Sequence, residues 1–378
     1  MTDFVALSHA TARLDPPLAS LDVAAAQANL ADLVRRAGDT PVRIASKSVR
    51  CRWVLELALS TAGVHGVMAF SLREALWLVR TGVDDVLMGY PTVDRGALAE
   101  LRASPEALAA ITLMVDDVAQ LDLAPAGARV CLDVDASLRI GRAHLGVRRS
   151  PVRTPTDAAA LATAAGARGL HVVGVMFYEA QIAGLPDSSA AVRWVKRRSA
   201  AELALRRSAV VQAVTAATGP LELVNSGGTG SLEVSSADAT VTEVTAGSGI
   251  YTPTLFDGYR AFVPRPALYF ALPVARRPAP RIATLFGGGY IASGPAGKSR
   301  LPQPAERGLR LLGTEGAGEV QTPVRGRAAD QLHIGDRVWF RPAKAGEQLE
   351  RFDTLHVVEH DRIVTSVPTY RGEAQTFG

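Results

Sequence analysis

Eight short runs of apolar, largely β-branched residues punctuate the first two thirds of the chain. They are "PVRIAS" at 41, "GVMAFS" at 66, "DVLMGY" at 85, "AITLMVD" at 110, "ARVCLDVD" at 128, "LHVVGVMFY" at 170, "LELVNSG" at 221 and "TVTEVTAG" at 240. Between them the period changes. "VRCRWVLELALST", "LREALWLVRTG", "RGALAELRAS" and "PTDAAALATAAGARG" carry apolar residues at the spacing of a helix with one buried face. Runs this continuously apolar are strands covered on both faces, and strands alternating with helices run parallel. Eight such units predict an α/β fold, a (β/α)8 barrel over residues 26–255.

After residue 255 the texture changes. Pro and Gly become frequent, helical spacing disappears, and strand-like pieces such as "ALYFALPVA", "RIATLFGGGY", "GDRVWFRP", "DTLHVVEH" and "RIVTSVPTY" take over. Residues 256–378 therefore read as a mostly β domain. Residues 1–25 contain "FVALSHATARLDPP", a possible extra strand, so the N-terminus is expected to join that domain in space.

Composition narrows the function classes. The chain has 378 residues, 48% of them hydrophobic, enough for two packed domains. No apolar run reaches the length of a membrane span, and "MTDFVALSHATARLDPP" lacks the basic-then-apolar order of an export signal, so a soluble, cytoplasmic protein is expected. Cys51 and Cys131 are the only cysteines, too few for a disulfide framework. Net charge is +4 and the sequence pI about 9.3. The densest basic stretch, Arg193 with Lys196, Arg197 and Arg198, has no aromatic platform beside it and reads as a solvated helix face rather than a nucleic-acid site.

Candidate chemistry sits where a barrel keeps it, just after the strands. "PVRIASKSVRC" ends the first strand in a lone lysine, Lys47, among small polar residues. Tyr90, Asp116, Asp133, Asp135, Tyr178 and Asn225 follow later strands, more polar groups than a structural rim needs. After the seventh strand "NSGGTGS" offers Gly227, Gly228 and Gly230 for tight backbone curvature, with hydroxyls on Thr229 and Ser231. After the eighth, "TAGSGIYTP" offers Gly247 to Gly249 with Ser248 and Tyr251. Barrels often bind phosphate with these two loops. "ASGPAGKS", 292–299, formally fits a relaxed P-loop pattern, but no helix-forming stretch follows it, so a loop is expected there.

A lysine after strand one facing a phosphate site after strands seven and eight fits pyridoxal 5′-phosphate. The chain then resembles the alanine racemase-like pyridoxal phosphate enzymes, within them the D-threonine aldolase and D-serine dehydratase family, through "RIASKS", "NSGGTGS", "TEVTAGSGIY", "GTEGAGEV" and "IGDRVWFRP". The resemblance implies that Lys47 is the Schiff-base lysine and a base at the substrate α-carbon, with Tyr178 near the cofactor. It implies that Asn225, Gly228, Thr229 and Gly230, with Gly247, Ser248 and Tyr251, hold the cofactor. Where the family has an arginine two residues before its Gly-Val, this chain has His144 in "RAHLGV"; either His144 or Arg142 inherits the contact to the pyridine nitrogen.

The larger departure is at the family's divalent metal. "FRPAKAGE" places Lys344 and Gly346 where a His and a Cys or Asp bind the ion. Glycine has no ligand and a protonated lysine repels a cation, so no metal site is expected. Lys344 instead becomes a candidate catalytic group, holding the substrate carboxylate or β-hydroxyl electrostatically. His356 and His360 lie in a strand-like segment, where a spacing of four does not make a zinc pair. The implied reaction is retro-aldol cleavage of a β-hydroxy D-amino acid, with dehydration and deamination second. A pyridoxal phosphate-binding protein without turnover is a further alternative, opposed by the full β domain. A homodimer is also implied.

Overall fold

The computed structural model describes residues 4–377. Helix α1 (Phe4–Ala10) is followed by strand β1 (Leu18–Asp22) and helix α2 (Val23–Ala37). Eight parallel strands then close a barrel: β2 (Val42–Ala45), β3 (Val64–Ala69), β4 (Val86–Met88), β5 (Ile111–Val115), β6 (Arg129–Asp133), β9 (His171–Phe177), β10 (Leu223–Ser226) and β11 (Glu243–Ala246). A two-stranded hairpin, β7 (Leu138–Ile140) with β8 (Ala143–Leu145), interrupts the series after β6. The strands are the eight apolar runs, and β2, β4, β5, β10 and β11 are buried at every position, as double coverage demands.

The intervening helices start where short polar side chains can accept the free N–H groups of a first turn. Asp22 accepts from Ala25, Ser71 from Glu74, and Thr154 with Asp157 forms a reciprocal capping box before Pro155–Gly166. Towards the N-terminal ends of the strands, the buried Arg43 on β2 binds Glu243 on β11 through two bonds of 2.8 Å and Asp85 through bonds of 2.8 and 3.0 Å. Glu243 in turn accepts from Asn225 on β10 at 2.7 Å. The charges are paired and hydrogen-bonded, as burial requires.

The second domain is mostly β: β12 (Leu268–Ala279), β13 (Ile282–Phe286), β14 (Gln303–Pro304), β15 (Arg310–Leu311), β16 (Gln321–Arg325), β17 (Arg337–Arg341), β18 (Thr354–Glu359) and β19 (Arg362–Pro368). Its sheet path runs β15-β16-β13-β12-β1-β18-β19, with β17 paired to β12 and β14. β1 lies antiparallel to β12 and parallel to β18, so the segment before the barrel completes this sheet. The strand expected over "FVALSHATARLDPP" forms in part as α1, because Phe4 and Leu7 share a helical face: Leu7 is buried and the Phe4 ring meets Tyr269 edge-on at 5.4 Å. The strand itself begins at Leu18. Residues 292–299 form a loop and a short turn, with no helix after them. No helix among the described residues is long and apolar enough to cross a membrane.

The two domains are tied together by buried and half-buried polar contacts. Asn29 of α2 donates to the Ile250 and Arg265 carbonyls at 2.9 and 2.7 Å, Arg52 pairs with Glu373, and the Tyr370 hydroxyl donates to Glu74 at 2.9 Å. Burial pushes the Glu74 carboxyl up to about 7 despite hydrogen bonds from Phe70, Ser46 and Tyr370. An unfolded glutamate titrates near ~4.3. Between these values the folded chain holds a proton that the unfolded chain has released. The contribution is full below the lower value and is lost as pH rises to the upper one. Urea unfolding of Glu74→Gln is therefore expected to lose part of the wild type's fall in stability between about pH 5 and 7; an unchanged slope would count against this assignment.

Candidate active site

The C-terminal ends of the barrel strands and one edge of the β domain enclose a cavity of about 740 Å³. Lys47 reaches it from the single turn Ser46–Ser48 that follows β2. Ser46 anchors that turn by donating to the Met68 carbonyl at 3.0 Å. The Lys47 ammonium donates to the hydroxyl of Tyr90, two residues past the end of β4. Arg149 enters the same space, its guanidinium 5.6 Å from the Tyr90 ring centre and 5.2 Å from that of Tyr178, which follows β9.

These neighbours set the electrostatics. Burial opposes ionisation of the Tyr90 phenol, but the Lys47 charge, its hydrogen bond and Arg149 outweigh it and leave Tyr90 more acidic than an ordinary tyrosine, against a contrary push from Asp133. Tyr178 moves the other way, because its burial exceeds what Lys47 and Arg149 return. Burial and the charge of Asp116 push Asp133 up to about 7.

The two glycine loops line the same cavity, the second of them beside the Lys47 turn, since β11 pairs with β2. A Cβ on Gly228 would stand 2.8 Å from that of Ala183, and one on Gly247 would stand 2.5 Å from the Ala45 carbonyl oxygen, so both positions need a bare backbone. The Thr229 hydroxyl accepts from Gly249 N–H at 3.0 Å, leaving its own proton to donate, and Ser248 stands 3.3 Å away. Both face the cavity. Behind them the buried Glu179 accepts from the Ser226 and Ser231 hydroxyls and the Gly227 N–H at 2.8–3.1 Å, and from Ser235. One carboxylate thereby organises the whole Gly227–Ser231 loop. Bare backbone backed by outward hydroxyls is a donor set that suits a phosphate, so the residues present fit pyridoxal 5′-phosphate.

On the β-domain side, Lys344 donates to Ser293 at 3.0 Å, and Ser293 donates to Glu347 at 2.6 Å. Burial lowers the pKa of Lys344, and the like charges of Arg300 and Lys47 add to the shift against Glu347. Gly346 packs its backbone so tightly on the Lys47 turn that a Cβ there would overlap the Lys47 carbonyl oxygen. No group of three or more His, Cys, Asp or Glu side chains among the described residues is placed to hold a metal ion. His356 sits on β18 against Ser366 at 2.8 Å, and His360 turns the corner with φ of 58°.

Of the twelve residues given a catalytic or cofactor-binding role from sequence, Lys47, Tyr178, Asn225, Gly228, Thr229, Gly247, Ser248 and Lys344 border this one cavity. Four do not. His144 sits on the β7–β8 hairpin with its ring 3.0 Å from the Val147 carbonyl, and Arg142 is exposed at the hairpin turn. The hairpin carries both away, and the arginine that arrives is Arg149, five residues past His144. Gly230 is backed against Tyr259 and the Ala183 carbonyl. Tyr251 is fully buried, donating to the Val49 carbonyl at 2.9 Å, because its helical turn points back into the barrel wall. Sequence reasoning missed Arg149 and Glu179. An arginine displaced downstream of "LGV", and an acid directly after Tyr178 with serines to satisfy it, were the available signals.

The family model described as alanine racemase, N-terminal domain, matches residues 21–254. No curated protein matches the chain. Among solved structures it is similar to D-threonine aldolase from Filomicrobium marinum, with a TM-score of 0.79 and 20% identity over 95% of this chain and 96% of that one. It is also similar to D-threo-3-hydroxyaspartate dehydratase from Delftia sp. HT23, with a TM-score of 0.74 and 20% identity over 94% and 97%. Alanine racemase from Corynebacterium glutamicum follows the fold at a TM-score of 0.62 and 15% identity over 86% and 90%.

The contact at Gly346 makes a stability prediction. Gly346→Ala should cost about 1–3 kcal/mol in urea unfolding, as overpacking does. Gly313→Ala, with nothing within 4 Å of the added carbon, should stay within about 0.5 kcal/mol of wild type. Equal stability of the two variants would remove the close packing of the β domain on the Lys47 turn.

Proposed function

The chain belongs to the alanine racemase N-terminal domain family, and from that premise we propose that it is a pyridoxal 5′-phosphate-dependent lyase that cleaves a β-hydroxy D-amino acid between its α and β carbons. The observation that carries the proposal is that Lys47, Thr229 and Ser248 line one cavity. When bound, pyridoxal phosphate supplies an aldehyde for an amine and a ring that accepts the electron pair of a bond broken at the α-carbon.

The chain's own residues do the rest. Gly228 and Gly247 let the backbone approach the phosphate, and Thr229 and Ser248 donate to it. Lys47 would hold the cofactor through its amine and serve as the group that takes and returns protons at the substrate α-carbon. Asn225, held by Glu243 and Thr245 at 2.7 Å each, and Tyr178 border the ring's space. Lys344 meets the substrate from the β domain, its ammonium holding a carboxylate or the β-hydroxyl as a hydrogen-bond donor. The similarity to a D-threonine aldolase supports a β-hydroxy D-amino acid and the aldol reaction. Dehydration is the second reading, favoured by the equally extended similarity to D-threo-3-hydroxyaspartate dehydratase. A homodimer belongs to the same proposal, and sedimentation tests it.

Mixing the protein with pyridoxal phosphate should produce a visible absorption band that Lys47→Ala lacks. Adding D-β-hydroxy amino acids should then release glycine and an aldehyde. Ammonia and a keto acid would select dehydration instead, and no band with wild type would overturn the assignment. Lys344→Ala should lower turnover on the order of 10²-fold, the scale of losing one electrostatic donor, and chelators should leave wild-type turnover unchanged. Activity abolished by a chelator and restored by a divalent ion would refute the role given to Lys344.

A further inference from the structure

Lys47 can bond a carbonyl carbon only as a neutral amine, so a proton must leave it within the cavity. Among the described residues, the side-chain group hydrogen-bonded to its nitrogen is the Tyr90 hydroxyl. Tyr90 is well placed to carry negative charge: Arg149 stands over the same ring, and Lys47 itself lies 5.1 Å from the ring centre. The other anionic side chain on the cavity, Glu347, is engaged instead by Ser293 through bonds of 2.6 and 2.8 Å.

We propose that Tyr90 is the proton acceptor for Lys47 and thus a further catalytic residue. The Lys47 N–H bond breaks with its electron pair left on nitrogen, the proton joins the phenolate oxygen, and an ammonium–phenolate pair becomes a neutral amine beside a neutral phenol. No other reactant is needed. The step reverses when Lys47 lets go of carbon, so the phenol keeps the proton beside the nitrogen that next needs it. The inference rests on the reading of Lys47 as the amine that bonds the cofactor.

Each group facing Tyr90 has a definite sign. Lys47 from the turn after β2 and Arg149 from the segment after β8 favour the phenolate, and Asp133 from the end of β6 opposes it. Tyr178 after β9 and Lys344 from the β domain also lie within electrostatic range. The lowered pKa of Tyr90 is the sum that geometry leads one to expect. Asp133, pushed up to about 7, is largely neutral in mildly acidic solution, so its opposition is weakest there.

Two measurements on the full chain test the pair. In cofactor-free protein, ultraviolet difference titration should show one of the seven tyrosines ionising below the rest. That transition should vanish in Tyr90→Phe and move to higher pH in Lys47→Met and Arg149→Met. Second, the visible band formed with pyridoxal phosphate should appear about 10²-fold more slowly in Tyr90→Phe near neutral pH, within the usual range for a lost acid–base partner. The deficit should close at high pH, where solvent takes the lysine proton. A deficit equal at every pH would mean that Tyr90 only positions Lys47, and an unaltered tyrosine titration in both Tyr90→Phe and Lys47→Met would overturn the proposal. If no band forms in any protein, the cofactor assignment fails, while the ultraviolet titration still decides whether Tyr90 and Lys47 share a proton.

Discussion

Residues 46–51, one turn and its exit, are the point on which both domains close. Barrel strand β2 delivers the turn, Ser46 ties it to β3, and Tyr251 reaches through the barrel wall to the Val49 carbonyl. From the other domain Gly346 lies against the Lys47 carbonyl, Glu350 pairs with Arg50, and the Tyr370 N–H donates to the Arg50 carbonyl at 3.0 Å. Arg50 is held at φ of 50°, a left-handed conformation that a bulky residue keeps only when its surroundings over-determine it. Its guanidinium stacks 4.8 Å from the Phe70 ring centre as well. The cost of that backbone is offset by contacts from two domains, and the result is a lysine whose base cannot wander.

The same economy of position governs charge. Lys47, Arg149, Arg300 and Lys344 all line the cavity, while the glycine loops present hydroxyls and backbone to it. Glu179 lies behind those loops, where it orders serines, and Glu243 lies deeper, satisfied by Arg43 and Asn225. Buried carboxylates thus act as fixed hubs, because removing any partner would strand a charge in a medium that solvates it poorly. Asn225 spans both levels, hydrogen-bonded to the charge network on one side and bordering the cavity on the other.

The barrel was legible because its signal is periodic and redundant: eight apolar runs, each flanked by helix-spaced stretches, name their own burial. Lys47 and the loops after β10 and β11 were legible for a related reason, since a parallel barrel presents every strand's C-terminal end to one place. α1 was harder, because seven residues give a helical face barely two turns in which to show itself. Glu179 was written beside Tyr178 all along, but its four donors, Ser226, Gly227, Ser231 and Ser235, lie in a later stretch of chain that only folding brings to it.

The sequence by itself determined the order of elements and the strand ends at which polar side chains and glycine loops would stand, because strand and helix periods are local properties of the chain. Tertiary structure alone decided which arginine arrives. The β7–β8 hairpin turns Arg142 and His144 outward and returns the chain at Arg149, a matter of hairpin direction that no spacing rule encodes. It likewise decided that Tyr251 props the barrel wall while Tyr90 meets Lys47, since a residue a few places beyond a strand faces either way until its turn is packed. Lys344 is brought to the cavity that Lys47 lines by the docking of a sheet that borrows an inner strand, β1, from the start of the chain. That distance in sequence is bridged only by packing between the two domains, which no local pattern of residues determines.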